Sequence, residues 1–267
     1  MLLFAICRAS LAMFAGAAAT ITKSRRGGNM SDSNFENAKS WHCFFEQSGT
    51  FKNEFKRLGL EAFDYDILDD FGQTDFKKDL FAEIERAFEG GQSVFDGMKE
   101  GDAIFAFFPC VRFEVQITMR FRGEAWDQKK HTDQQKLESA LKLHKELALF
   151  YELITKLVIV CIRKGIPLII ENPYSTQHYL TRYWPLKPKL IDMDRRQNGD
   201  YYEKPTQFWF INCEPLNNLL FDEPIASHPK KIVSKEGTVE RSLISPDYAR
   251  RFIRSYLKPY EPEDASR

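Results

Sequence analysis

Residues Trp41 to Asp66 read WHCFFEQSGTFKNEFKRLGLEAFDYD, and the order of patterns within them decides the fold. Trp41 to Phe45 is a short apolar strand. Phe51 to Leu58 is an amphipathic helix with Phe51, Phe55 and Leu58 on one side, and Gly59 ends it. Glu61 to Tyr65 is a second strand, closed by Asp66. Strand, tight turn, helix and strand within about 30 residues make a βαβ unit, the usual opening of a doubly wound sheet. The turn Glu46-Gln47-Ser48-Gly49-Thr50 is where a cofactor would rest against the helix N-terminus, and Asp66 sits where Rossmann-like folds place an acid against ribose hydroxyls.

Two further apolar runs read as buried parallel strands: Ala103 to Phe108, followed by Pro109-Cys110, and Ile166 to Ile170, followed by Glu171-Asn172-Pro173. Ligands of open α/β sheets bind beyond the carboxyl ends of the strands, so this thiol and this carboxylate are expected to face one substrate. A nucleophile and a proton-handling acid are the minimum for covalent chemistry on an electrophilic ring. Asp79, in Lys78-Asp79-Leu80, is expected to end a third short strand.

Between the two peptides runs a polar segment, Val111 to Asp133, and then a helix from about Gln134 to Arg163 whose apolar residues recur at helical spacing. The polar segment mixes Arg112, Arg120, Arg122, Lys129 and Lys130 with Phe113, Phe121 and Trp126, which suits a flexible lid closing on nucleic acid. An ordinary solvated loop would read the same way. Past Glu171, Ser175 is expected to cap a short helix running to Tyr183, Pro185 and Pro188 mark a loop, and Gln207 to Ile211 forms another strand. Ser245-Pro246 opens a final helix, Asp247 to Leu257, with Arg250, Arg251 and Arg254 on a basic face.

The 38 basic and 38 acidic side chains of the 267 residues cancel, so no overall field draws the protein to nucleic acid or membrane. The 23 phenylalanines fit a dense core better than a base-stacking surface. Five scattered cysteines without a CxxC pair argue against a disulfide framework and a zinc site, and for a reducing, cytoplasmic compartment. Cys43 and Cys161 lie in apolar runs as structural thiols; Cys110 follows Pro109 where the chain leaves the sheet. The apolar stretch Leu11 to Thr20 is too short to span a bilayer, and its cationic cluster follows it rather than precedes it. Translation from Met30 is therefore expected, because Arg25-Arg26-Gly27-Gly28 can be encoded by purine-rich codons like those of a bacterial ribosome-binding site.

These residues together resemble the DNA cytosine-5 methyltransferases, in a short, divergent form of the sort carried by phages and mobile elements. DAIFAFFPCVRF, Asp102 to Phe113, is similar to the family's catalytic strand and Pro-Cys turn, and LIIENP, Leu168 to Pro173, to its Glu-Asn motif. Phe45 to Phe51 lies where the family has its Phe-x-Gly-x-Gly cofactor loop, Asp66 where it has the ribose-binding acid, and Asp79-Leu80 where an acid beside an apolar residue holds adenine. The likeness covers Trp41 to Pro173, about half of the chain.

The resemblance implies a doubly wound mixed sheet of the S-adenosylmethionine-dependent methyltransferase type, Rossmann-like. It implies residues 30–215 as the catalytic domain, 1–29 as a non-native leader, and 216–267 as an extension whose basic helix packs back. It further implies methyl transfer from S-adenosylmethionine to carbon 5 of a cytosine flipped out of duplex DNA, as in restriction-modification systems. Cys110 adds to carbon 6, with Pro109 shaping its turn, and Glu171, positioned with Asn172, stabilises charge at ring nitrogen 3. Phe45, Ser48, Gly49, Thr50, Asp66, Asp79 and Leu80 hold the cofactor. Arg112 is the cation nearest Cys110 in sequence; Arg195 or Arg196 would serve after folding.

Five departures qualify the likeness. Gln47 stands where the family has glycine, Val111 follows Pro-Cys in place of glutamine, and Pro173 replaces the common valine. A clear Gln-x-Arg-x-Arg motif is missing, although Lys204-Pro205-Thr206-Gln207 lies in that region. No large target-recognition domain is evident. A separate specificity subunit is one expectation from this; a non-catalytic DNA- or partner-binding relative and an enzyme of free pyrimidine nucleotides are two others.

Overall fold

Successive residues of a strand face opposite sides of a sheet, and in this protein both sides are apolar. Trp41, Cys43, Ala103, Phe105, Ile169, Phe208 and Phe210 point into one core; Phe44, Ile104, Ala106, Leu168, Ile170 and Trp209 point into the other. A sheet buried on both faces needs helices on both, and parallel strands supply them through their crossovers. The computed structural model describes residues 38–218, 220, 224–229 and 237–258. The expected leader lies outside them, and the described residues all belong to one compact unit, Asp32–Arg267.

The strands are β1 (Ser40–Phe44), β2 (Glu61–Asp66), β3 (Phe76–Lys77), β4 (Asp102–Ala106), β5 (Leu168–Pro173), β6 (Leu190–Asp192) and β7 (Thr206–Ile211). They form a seven-stranded sheet in the order β3-β2-β1-β4-β5-β7-β6. β7 runs antiparallel to both of its neighbours, and every other pairing is parallel. The protein is thus an α/β fold with a mixed, mostly parallel, Rossmann-like sheet.

The helices are α1 (Thr50–Arg57), α2 (Leu80–Phe88), α3 (Ile117–Phe121), α4 (Asp133–Lys164), α5 (Tyr179–Tyr183), α6 (Thr238–Ser242) and α7 (Pro246–Tyr256). α2 and α4 cover the face of Phe44 and Ile104, and α1 and α7 cover the opposite face. Local chemistry sets the ends of the long crossover helix α4: Thr132 and Gln135 form a capping box, and Gly165 closes it at φ 67°. Ser245 caps α7 by accepting from Tyr248 N at 3.0 Å. Phe252 of α7 packs against Phe208, Phe105 and Phe51 at ring separations of 4.5, 5.7 and 6.0 Å, so the last helix is part of the same sandwich. Arg250 Nε donates to Glu54 Oε2 of α1 at 3.0 Å, which takes one arginine out of the expected basic face.

Three expectations need correction. The loop expected after Pro188 contains the edge strand β6, too short at Leu190–Asp192 to show a period. The helix expected from Ser175 begins only at Tyr179, because Ser175 Oγ accepts from Gln177 N in a separate turn, at 3.0 Å. Asp79 does not end β3; it follows that strand as the N-cap of α2, its Oδ1 accepting from Phe81 N and Ala82 N at 3.1 and 3.2 Å. Among the described residues no helix is long and apolar enough to cross a membrane.

Candidate active site

β1, β2, β4 and β5 are parallel, so their carboxyl ends open along one edge, and the strand order reverses direction between β1 and β4. That switch point is where an open sheet leaves a crevice. Phe107 N donates to Phe44 O at 2.9 Å, and the chain then leaves the sheet through buried Phe108 and Pro109. A hydrogen bond from Phe113 N to Cys110 O, 2.8 Å, closes a turn immediately after the thiol. Phe113 is fully buried, with its ring against Tyr151, Phe150 and Phe108 at 5.1, 6.0 and 6.3 Å, and so pins that turn to the core. Cys110 is half-buried on it, and its Sγ donates to Glu114 Oε1 at 3.0 Å. Burial, and then the charge of Glu114, push the thiol well above its ordinary range, while Lys204 opposes them.

On the neighbouring strand, Ile170 pairs with Ala106, which sets Glu171 and Asn172 beside the departing chain. Asn172 Nδ2 donates to Phe108 O at 2.7 Å and to Glu171 O at 2.9 Å, so this side chain ties the Glu-Asn strand to the Pro-Cys strand. Glu171 is buried, and burial pushes its carboxyl up against the opposing pull of Lys204 and Arg195. The charge of Glu171 in turn acts on the Cys110 thiol, which brings the two sequence-predicted residues into one electrostatic site.

Arg195 lies beneath Glu171, its Nη1 3.9 Å from Oε1, with Nη2 paired to Asp200 Oδ2 at 2.5 Å and the guanidinium 5.3 Å from the Tyr248 ring centroid. Asp200 Oδ1 accepts from Ser245 N at 2.8 Å, linking this buried cluster to the start of α7. Arg112 is corrected as the partner of the thiol: its Nε donates to Glu146 Oε2 at 2.7 Å. The cation acting on both Cys110 and Glu171 is Lys204, which forms no ion pair of its own among the described residues. Lys204 comes to the site because β7 reverses: Thr206 pairs with Pro173, and Tyr174 N donates to Pro205 O at 2.8 Å. Its only sequence signal was the Lys-Pro-Thr-Gln segment. Glu114 carried no signal beyond standing four residues after Cys110.

The turn after β1 occupies the other side of the crevice. Phe45 stands at φ 60°, a conformation costing a non-glycine residue about 1 kcal/mol or more, and its ring packs against Phe108 and Phe81 at 5.4 and 5.7 Å. Ser48 Oγ and Thr50 Oγ1 are 3.1 Å apart. Gly49, at φ 65°, precedes α1, and a Cβ there would meet Gln73 Cβ at 3.1 Å, so the close approach at this glycine is made by the protein itself. Gln47 Oε1 accepts from Asp70 N at 3.3 Å.

The N-terminus of α1, expected to receive a cofactor, carries the buried carboxylate of Glu46, which accepts from Phe51 N at 2.7 Å and Lys52 N at 3.2 Å. Burial raises Glu46 to about 7 against the two hydrogen bonds. Asp66 is half-buried at the end of β2 with Oδ1 accepting from Leu68 N at 2.8 Å, and burial raises its carboxyl too. Leu80, the first residue of α2, is buried in the core, so of the Asp79-Leu80 pair only the acid is exposed.

The segment Val111 to Asp133 is more tightly anchored than a flexible loop. Phe113, Ile117 and Gln128 are buried, α3 packs on α4, and Gln128 Nε2 donates to Ser139 Oγ at 3.0 Å. Arg120 pairs with Asp127 at 3.0 Å, which withdraws one of the segment's cations from an incoming anion. Trp126, 86% exposed, and Met119 remain on its surface. The chain matches no protein-family model and no curated protein.

Proposed function

We propose that this protein is an S-adenosylmethionine-dependent methyltransferase acting on carbon 5 of cytosine in DNA, its fold the methyltransferase variety of the Rossmann-like sheet. The observation that carries the reading is the convergence of a thiol, Cys110, a buried carboxyl, Glu171, and one shared cation, Lys204, at adjoining strand ends beside the switch point. Carbon 5 of cytosine is a poor nucleophile. Addition of the Cys110 sulfur to carbon 6 turns the ring into an enamine-like species, and Glu171, held toward its protonated form by burial, supplies a proton to ring nitrogen 3. Lys204 steadies the sulfur as it becomes anionic, and Asn172 fixes the separation of the two strands that carry sulfur and carboxyl. A base inside a duplex cannot reach a site this deep, so the cytosine is flipped out of its stack.

The residues at the β1 turn fit the cofactor in chemical kind. Phe45 offers an aromatic surface, and Asp66 offers a half-buried carboxyl at the end of β2 for ribose hydroxyls. When bound, S-adenosylmethionine supplies an electrophilic methyl group. Purified protein given labelled S-adenosylmethionine and duplex DNA should place the label on carbon 5 of cytosine, and Cys110→Ser should abolish transfer. A Cys110→Ser protein as active as the parent would remove the sulfur from the mechanism. Bisulfite sequencing of DNA from expressing cells gives the sequence context, and adding cell extract to the assay reveals any need for a specificity subunit.

One observation favours a second reading, a non-catalytic relative that binds DNA or a partner through the same scaffold. Glu46 occupies the α1 N-terminus that would otherwise offer N–H groups to a cofactor carboxylate. Calorimetry decides between the two, since absence of S-adenosylmethionine binding at millimolar concentration supports the scaffold reading.

A further inference from the structure

Addition of sulfur to a ring carbon must release the S–H proton, and none of the roles assigned above accepts it. Glu171 donates a proton at ring nitrogen 3, Lys204 is a cation, and Arg112 is held by Glu146. The group in contact with the thiol is Glu114, with Oε1 3.0 Å from Sγ. Three features build that contact. The Phe113 N to Cys110 O bond makes one turn of chain between the two side chains, the buried Phe113 ring anchors the turn, and Ile117 N donates to Glu114 O at 3.1 Å where α3 begins. We propose that Glu114 is the base that receives the Cys110 proton as the sulfur adds to the ring, so that the two side chains act as a thiol–carboxylate dyad.

The inference rests on Cys110 being the nucleophile of the proposed reaction. As the C–S bond forms, the sulfur's proton becomes strongly acidic and passes to Glu114 Oε1. The carbon 5–carbon 6 electron pair then moves toward the ring nitrogen, which takes its proton from Glu171. After methyl transfer, carbon 5 loses its proton to solvent and the C–S pair returns to sulfur. Sulfur regains its proton from Glu114, and nitrogen 3 returns one to Glu171. One proton is released per methyl group, as the overall substitution requires. Before substrate arrives the same carboxylate opposes ionisation, so the resting sulfur stays a thiol.

The test compares the parent, Glu114→Gln and Glu114→Asp in two assays, with thermal melting to confirm folding. The first is the pH profile of Cys110 alkylation by iodoacetamide, read by peptide mass. The second is methyl transfer to DNA. The glutamine keeps an acceptor near the sulfur but has no charge and takes no proton. Its alkylation near pH 7 should rise about tenfold for each pH unit by which the thiol's midpoint falls, while methyl transfer drops by about 100-fold or more. The aspartate, shorter by one methylene, should retain part of the transfer activity and keep the thiol close to its parental midpoint. An alkylation profile unchanged by Glu114→Gln overturns the dyad, as does full methyl transfer by that variant. An inactive parent removes the methyl-transfer reading and with it the base role of Glu114, and a profile that still shifts in Glu114→Gln then shows only that the two side chains are coupled in charge.

Discussion

Glu46 makes the stability of the protein depend on pH in a way that one substitution can isolate. Its carboxyl is buried at the start of α1 and raised from 4.5 to about 7, chiefly by burial. An acid whose folded-state value lies above its unfolded value binds more protons when folded, so its contribution is greatest at low pH and is lost as pH rises between the two values. With about 1.4 kcal/mol per pH unit over that interval, most of the loss, about 3 kcal/mol, falls between pH 4.5 and 7.5. Glu46→Gln keeps an oxygen for Phe51 N or Lys52 N but cannot ionise.

Urea unfolding of the parent and of Glu46→Gln at pH 4.5, 5.5, 6.5 and 7.5 measures the effect. Asp64, Asp66 and Glu171 are also raised and slope in the same direction, but they are common to both proteins and cancel in the difference. Relative to the parent, the variant should gain about 3 kcal/mol across the series. Parallel profiles would mean that Glu46 is solvated or ionised throughout, and the description of the α1 N-terminus would fail.

Three further outcomes are expected. Lys204→Met removes the cation opposing the rise of the Cys110 thiol, so alkylation of Cys110 near neutral pH should slow; an unchanged rate would mean that Lys204 does not act on the sulfur. Asn172→Ala leaves Phe108 O without its donor and should cost about 1–3 kcal/mol in chemical unfolding, with loss of methyl transfer even where the protein remains folded. Phe252→Ala empties a site shared by α7, α1 and the sheet and should cost about 3–5 kcal/mol; a loss under 1 kcal/mol would show that α7 is only loosely attached.

The opening βαβ unit and the runs before Cys110 and Glu171 were legible because their signals are local. Each buried strand is a short apolar run and each helix a 3.6-residue period, and both survive in a single window of sequence. The edge strands β3 and β6 were obscure for the complementary reason: with two and three residues they are defined by their neighbours' hydrogen bonds rather than by their own composition. Asp79 shows a further limit. A carboxylate after a strand reads equally as a ligand-binding acid or a helix cap, and only the position of the α2 N–H groups distinguishes them.

For the site, the sequence determined which groups stand at strand ends, because Pro109-Cys110 and Glu171-Asn172 each follow a run that must be buried. The surroundings of those groups were decided by tertiary structure. Arg112 is two residues from Cys110 yet pairs with Glu146, whereas Lys204, 94 positions after the thiol (204 − 110), acts on it because β7 folds back along β5. Arg195 and Asp200, from one turn, meet Glu171 on one side and Ser245 at the start of α7 on the other. Periodicity reports which face of an element is buried. Electrostatic partners depend instead on distances of a few ångströms across elements, and these are set only when the strands choose their neighbours and the helices close over both faces.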